Sequence, residues 1–142
     1  MPKKSRIEKY PDHETFHYFN ANPKNRLTSD CYLRAICTAL EQNWQDTLME
    51  MVQFICETGY AINDIKLIEK YLTKKGWIKH SQPRKGDNTK YNGKEFCQMI
   101  ADKKKRYIAN IGGHHIVAIV DGKVNDIWDN TKKCIGNYWT KV

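Results

Sequence analysis

The dipeptide Asp121-Gly122 sits between two short apolar runs, HIVAIV (residues 115–120) and KVNDIWD (residues 123–129), and it constrains the chain more than any other feature. An Asp-Gly pair between alternating strands is a strong signal for a two-residue hairpin turn, because both central positions need positive φ. The turn fixes an antiparallel pair and its register. Val120 pairs with Lys123, Ile119 with Val124 and Val117 with Asp126, which brings His115 opposite Trp128 and His114 opposite Asp129. A slip of one residue would bring Asp129 opposite His115 instead. In either register the open end of the hairpin gathers histidine, tryptophan and two carboxylates.

Upstream, the pattern is helical. Leu33, Ile36, Cys37 and Leu40 recur at helix spacing from Cys31 to about Glu41, with Ser29 or Asp30 as cap. A second helix is expected over 45–58, its stripe formed by Leu48, Met51, Val52, Ile55 and Cys56 and its end set by Gly59. A third runs from the cap Asn63 to Gly76, and a fourth covers 94–103. Strands are expected at 77–80, 106–111, 115–120, 123–129 and 135–141, with a polar loop at 81–93. Helices followed by a mostly antiparallel sheet define an α+β fold. Residues 1–24, punctuated by three prolines, read as an extended N-terminal arm, and residues 25–142 as one domain.

Composition narrows the function. No apolar run approaches the length of a membrane span, and the basic N-terminus lacks the apolar segment of a signal peptide, so a cytoplasmic protein is expected. The five cysteines (Cys31, Cys37, Cys56, Cys97 and Cys134) are odd in number and contain no C-x-x-C pair. They read as free thiols in a reducing compartment. Cys37, Cys56 and Cys97 fall on apolar helix faces and are expected in the core; Cys134 lies beyond them, unassigned. A metal site built from His114, His115 and a cysteine has no recognised spacing, and neither metal nor cofactor is expected. The net charge of +8 arises from 24 basic and 16 acidic residues, with one tight run, Lys103-Lys104-Lys105-Arg106. That run reads either as a solvated helix end or as a footprint for nucleic acid or an acidic protein.

Cys31 differs from the other cysteines in opening a helix. A thiol reacts as thiolate, and a helix N-terminus or a nearby imidazolium favours that form. The stretch NRLTSDCYLRAIC (residues 25–37), followed more than 80 residues later by His115 at the start of a strand, resembles the papain-like cysteine peptidases. There a nucleophilic Cys opens a helix, a His starts a later strand, and an Asn or Asp follows at the end of the return strand. The spacing from Asn25 to Asp30-Cys31 is similar to the Q-x-x-x-x-D-C of the peptidase domains of bacteriocin exporters, with Asn25, one methylene shorter, in the oxyanion-binding Gln position. The chain is closer still to small phage and prophage proteins with N-D-C-x-x-R-A-I and G-H-x-V-A-V-x-D-G motifs. Here these read SDCYLRAI (29–36) and GHHIVAIVDG (113–122), and the alignment puts the family histidine on His115.

The resemblance implies Cys31 as nucleophile, His115 as its proton shuttle, Asn25 at the oxyanion and an acidic or amide residue about fifteen positions past the histidine. Asp129 is favoured, with Asp126 and Asn130 as alternatives. Asp30, His114, Trp128 and Asp126 are expected to border the substrate, a protein or peptide. The function expected is hydrolysis by a peptidase, isopeptidase or amidase; deamidation and acyl transfer use the same groups. The alternatives are a non-catalytic phage protein that binds a host-defence component or nucleic acid through its basic surface, and a small virion protein.

Overall fold

The computed structural model describes residues 3–141. In chain order it contains α1 (Arg6–Lys9), β1 (Phe16–Tyr18), α2 (Cys31–Leu40), α3 (Trp44–Thr58), α4 (Ile65–Lys74), β2 (Trp77–His80), α5 (Gly93–Met99), β3 (Tyr107–Ile111), β4 (His115–Val120), β5 (Lys123–Asp126) and β6 (Ile135–Lys141). The strands form one mixed sheet in the order β1-β5-β4-β3-β6-β2, antiparallel except that β1 runs parallel to β5. The fold is α+β. Among the described residues no helix is long and apolar enough to cross a membrane.

The hairpin organises the sheet as its turn requires. Asp121 and Gly122 have φ of 55° and 70°, and Ala118, Ile119 and Val120 pair with Asn125, Val124 and Lys123. Alternation then distributes β4 between two cores. Ile116 and Ala118 join the cluster made by α2, α3 and α4, including Leu33, Ile36, Met51, Leu67 and Leu72. Val117 and Ile119 join the other, with Phe16, Phe96, Cys97, Val124 and Ile135. α2 is buried on nearly every side and packs along β4, so the start of the helix and the start of the strand meet at one end of the sheet.

Several expectations change. Residues 1–24 are more than an extended arm: α1 and β1 form there, and Phe16 is fully buried against Val124. A three-residue strand shows too little alternation to be read in advance. The α4 cap is Asp64 rather than Asn63, its side chain accepting from Lys66 N. α5 starts one residue early under an Asn92–Glu95 capping box and stops at Met99. Lys103 to Arg106 therefore lie in a turn, where Asp102 accepts from the N–H groups of Lys104 and Lys105. Cys56 is exposed, because α3 is an outer helix that fully buries only Thr47 and Met51. β5 ends at Asp126, where Ile127 N donates to the Asp126 side chain and the chain leaves the strand.

Candidate active site

Cys31 is the first residue of α2, where the first-turn N–H groups have no intrahelical acceptor and the helix dipole favours an anion. The half-buried thiol meets the His115 ring and the backbone N–H of Ile116. His115 Nε2 lies 2.5 Å from Asp126 Oδ2, leaving Nδ1 as the ring nitrogen available to the thiol. Asp126 is 2% exposed, and both of its oxygens are doubly bonded. Oδ1 accepts from Arg34 Nη1 at 2.7 Å and from Ile127 N at 2.7 Å; Oδ2 accepts from His115 and from Asn130 Nδ2 at 2.6 Å. Trp128 covers the ring at a centroid separation of 5.4 Å.

This carboxylate is held from behind. Arg34 Nε donates to Asp30 Oδ1 at 2.8 Å, while Asp30 Oδ2 accepts from Asn22 Nδ2 and Trp44 Nε1. The result is a bonded chain, Asp30–Arg34–Asp126–His115, whose first three members are buried and whose ring, partly exposed, adjoins Cys31. Buried charge persists only when paired and hydrogen-bonded, and here each group has a partner.

The electrostatics favour a charged pair. Burial opposes the imidazolium, yet the Asp126 hydrogen bond and charge, with Cys31, push His115 up to about 9. Burial also opposes the Cys31 thiolate; the His115 and Ile116 hydrogen bonds and the charges of His115 and Arg34 outweigh it and bring the thiol below its ordinary value. Asp126 is held low despite burial, by His115 and then Arg34. The contrast lies within the same protein. Burial pushes Cys37 up to about 11 and Cys97 up to about 12. Thiolate beside imidazolium is the arrangement that attacks a carbonyl carbon and then hands a proton to the leaving group.

Not every expected residue joins this group. Asp129, favoured from its spacing, accepts from His13 Nε2 at 2.6 Å and from the N–H and hydroxyl of Thr131. Asp126 occupies the position beside His115, because the strand ends there and the turn carries Asp129 away. Asp30 is buried at the N-cap of α2, its carboxylate bonded to Arg34, Asn22 and Trp44. Asn25, with φ of 54°, is exposed, and its side-chain oxygen accepts from Asn20 Nδ2. His114 is exposed and lines an open groove of about 740 Å³ with Tyr32, Ile62, Asp64 and Asn110.

The basic run lies elsewhere. Lys104, Lys105 and Arg106 line a groove of about 560 Å³ at the C-terminal end of α2, with Lys75 and Lys141. Arg106 is committed to Glu41 and to the carbonyl of Thr38. Sequence reasoning missed Arg34 and Asn22, and Asn130, an alternative to Asp129, instead bonds the Asp126 carboxylate. The available signal was the i,i+4 pair Asp30–Arg34 on a helix otherwise apolar toward the core. Comparison of the chain with protein-family models, curated proteins and solved structures found no match.

Proposed function

We propose that the protein is a papain-like thiol hydrolase, a peptidase, isopeptidase or amidase. Cys31 is the nucleophile, His115 the acid–base group and Asp126 the residue that orients the ring. The observation that carries this reading is the His115 Nε2–Asp126 Oδ2 bond of 2.5 Å, with His115 also the group whose hydrogen bond and charge favour the Cys31 thiolate. The thiolate attacks the carbonyl carbon of an amide, and the Cys31 N–H at the helix start holds the oxyanion. The imidazolium gives its proton to the departing amine, leaving a thioester on Cys31. The ring then takes a proton from water, whose oxygen attacks the acyl carbon; the thiolate leaves, the acid is released and the thiolate–imidazolium pair is restored. Trp128 screens the pair from solvent. The resemblance to phage proteins makes a host protein the expected substrate.

The test is the pH profile of iodoacetamide labelling, read at each cysteine by mass spectrometry. Cys31 is expected to label at pH 6 at least tenfold faster than exposed Cys56 and Cys134, and His115→Ala to remove most of that advantage. Equal labelling of the three thiols at pH 6 contradicts the reading.

A second reading, binding of nucleic acid through Lys103, Lys104, Lys105 and Arg106, is supported by the groove those last three residues share with Lys75 and Lys141. It requires affinity that falls with salt at a log–log slope of about −0.9 per phosphate contacted.

A further inference from the structure

Arg34 is 7% exposed and is the cation that joins the two buried carboxylates. Its fork divides between them: Nε to Asp30 and Nη1 to Asp126. A lysine presents one compact charge and cannot reproduce that geometry. Arg34 also follows Cys31 by three residues on α2, so the two share one side of a rigid helix. The donor that fixes Oδ1 of Asp126 is thus carried by the element that carries the thiol, and fixing Oδ1 turns Oδ2 toward the ring.

We infer that Arg34 is a positioning residue for the Cys31–His115 pair: it keeps Asp126 charged and rotated toward His115, and ties that carboxylate to the helix that carries the nucleophile. The inference rests on the hydrolase reading above. A purely structural ion pair would need neither the shared helix nor the bond to the oxygen opposite the imidazole.

The groups that face this cluster are few. From α2 they are Cys31, Tyr32, Arg34 and Cys37, with Asp30 at its cap. From β4 comes His115 and from β5 Asp126. The remaining bonding partners, Asn22, Trp44 and Asn130, are neutral. Removing Arg34 takes a cation from beside the thiol and loosens the Asp126 carboxylate that supports the imidazolium. Both losses disfavour the thiolate, so the Cys31 titration moves to higher pH.

The experiment compares Cys31 labelling from pH 5 to 10 in wild type, Arg34→Gln, Arg34→Lys, Asp126→Asn and the Arg34→Gln/Asp126→Asn double variant. Far-UV circular dichroism identifies the folded variants. Arg34→Gln is expected to raise the labelling midpoint by about one pH unit, slowing the reaction about tenfold at pH values below both midpoints. Arg34→Lys is expected to show a smaller rise. In the Asp126→Asn background the Arg34→Gln shift should shrink, since the two residues act through one contact.

Folded Arg34 variants with the wild-type profile, or an undiminished shift in the Asp126→Asn background, overturn the role of Arg34. Wild-type Cys31 that labels no faster than Cys56 at pH 6 defeats the hydrolase reading itself, so the two failures are distinct. If neither Arg34 variant folds, the wild-type protein decides. Its Arg34 guanidinium resonances should shift with the midpoint of Cys31 labelling, and resonances indifferent to that titration overturn the inference.

Discussion

The two ends of α2 handle charge in opposite ways. At the Cys31 end, Asp30, Arg34 and Asp126 are buried and His115 nearly so, and each is bonded to the next. At the Leu40 end, Glu41, Arg106, Lys75, Lys104, Lys105 and Lys141 surround an open groove. The helix dipole suits both: an incipient anion stands at its N-terminus, and Arg106 donates to the Thr38 carbonyl near its C-terminus. What differs is water. Exposed charges are screened and free to rearrange, so their pairing says little about function. Buried charges are determinate, because each lost partner leaves a desolvated group.

That contrast ranks the effects of substitution. Asp126→Ala would leave His115 without its carboxylate and the buried Arg34 with Asp30 alone, and should cost about 3–5 kcal/mol in urea unfolding. A loss below 1 kcal/mol would mean that the buried chain is no more determinate than the surface pairs. The pH dependence of stability sharpens the same comparison. His115 is raised in the fold to about 9, so its contribution is complete below its unfolded value near 6.5 and is lost as pH rises through about 9. Asp126 is lowered, so its contribution holds above the unfolded value near 3.8 and is lost as pH falls through the folded one. Over the His115 window Cys31, lowered in the fold, adds stability as pH rises, so the His115 limb is offset in wild type and should stand out in Cys31→Ala, whose stability should fall as pH rises above about 6.5. A flat profile in that variant would place the titrating group elsewhere.

Intermediate burial should give an intermediate effect. The His13–Asp129 pair is partly exposed, and Asp129→Asn is expected to cost less than about 1 kcal/mol. It should leave the pH profile of Cys31 labelling within twofold of wild type; a larger change would make Asp129 part of the site. Lys104→Gln and Lys105→Gln, at the open end, should change unfolding free energy by about 0.5 kcal/mol at most.

The sequence carried the hairpin well because Asp-Gly admits few turns, and counting back from it gives the pairing observed at Ala118–Val120. It carried α2 because the apolar spacing is clear there, although Asp30 at the N-cap makes no side-chain capping bond and turns to Arg34, Asn22 and Trp44 instead. The acid partner of His115 was harder to read. The register sets Asp126 diagonal to His115 on one face, whereas family spacing favours Asp129. The strand ends at Asp126, whose carboxylate is held by Arg34, Asn130 and Ile127 N, while Asp129 is taken by His13 and Thr131. His13, the residue that takes Asp129, lies in a segment with no periodic pattern. Arg34 was hidden for another reason: a charged residue on a helix reads as a surface position until its two carboxylates are seen around it. The exposure of Cys56 was likewise invisible, since an apolar stripe does not reveal how much of it a neighbour covers.

The central claim is that Cys31 and His115 share a proton on a ring held by Asp126. The most direct measurement is the titration of the His115 ring, followed by ¹⁵N NMR in wild type and in Cys31→Ala. In wild type the ring should remain protonated through pH 7 and titrate near 9. Cys31→Ala removes the neighbouring thiolate and should lower the midpoint, with Nε2 still carrying the proton donated to Asp126 after the ring is neutral. A ring that titrates near 6.5 in both proteins, indifferent to Cys31, would contradict the account.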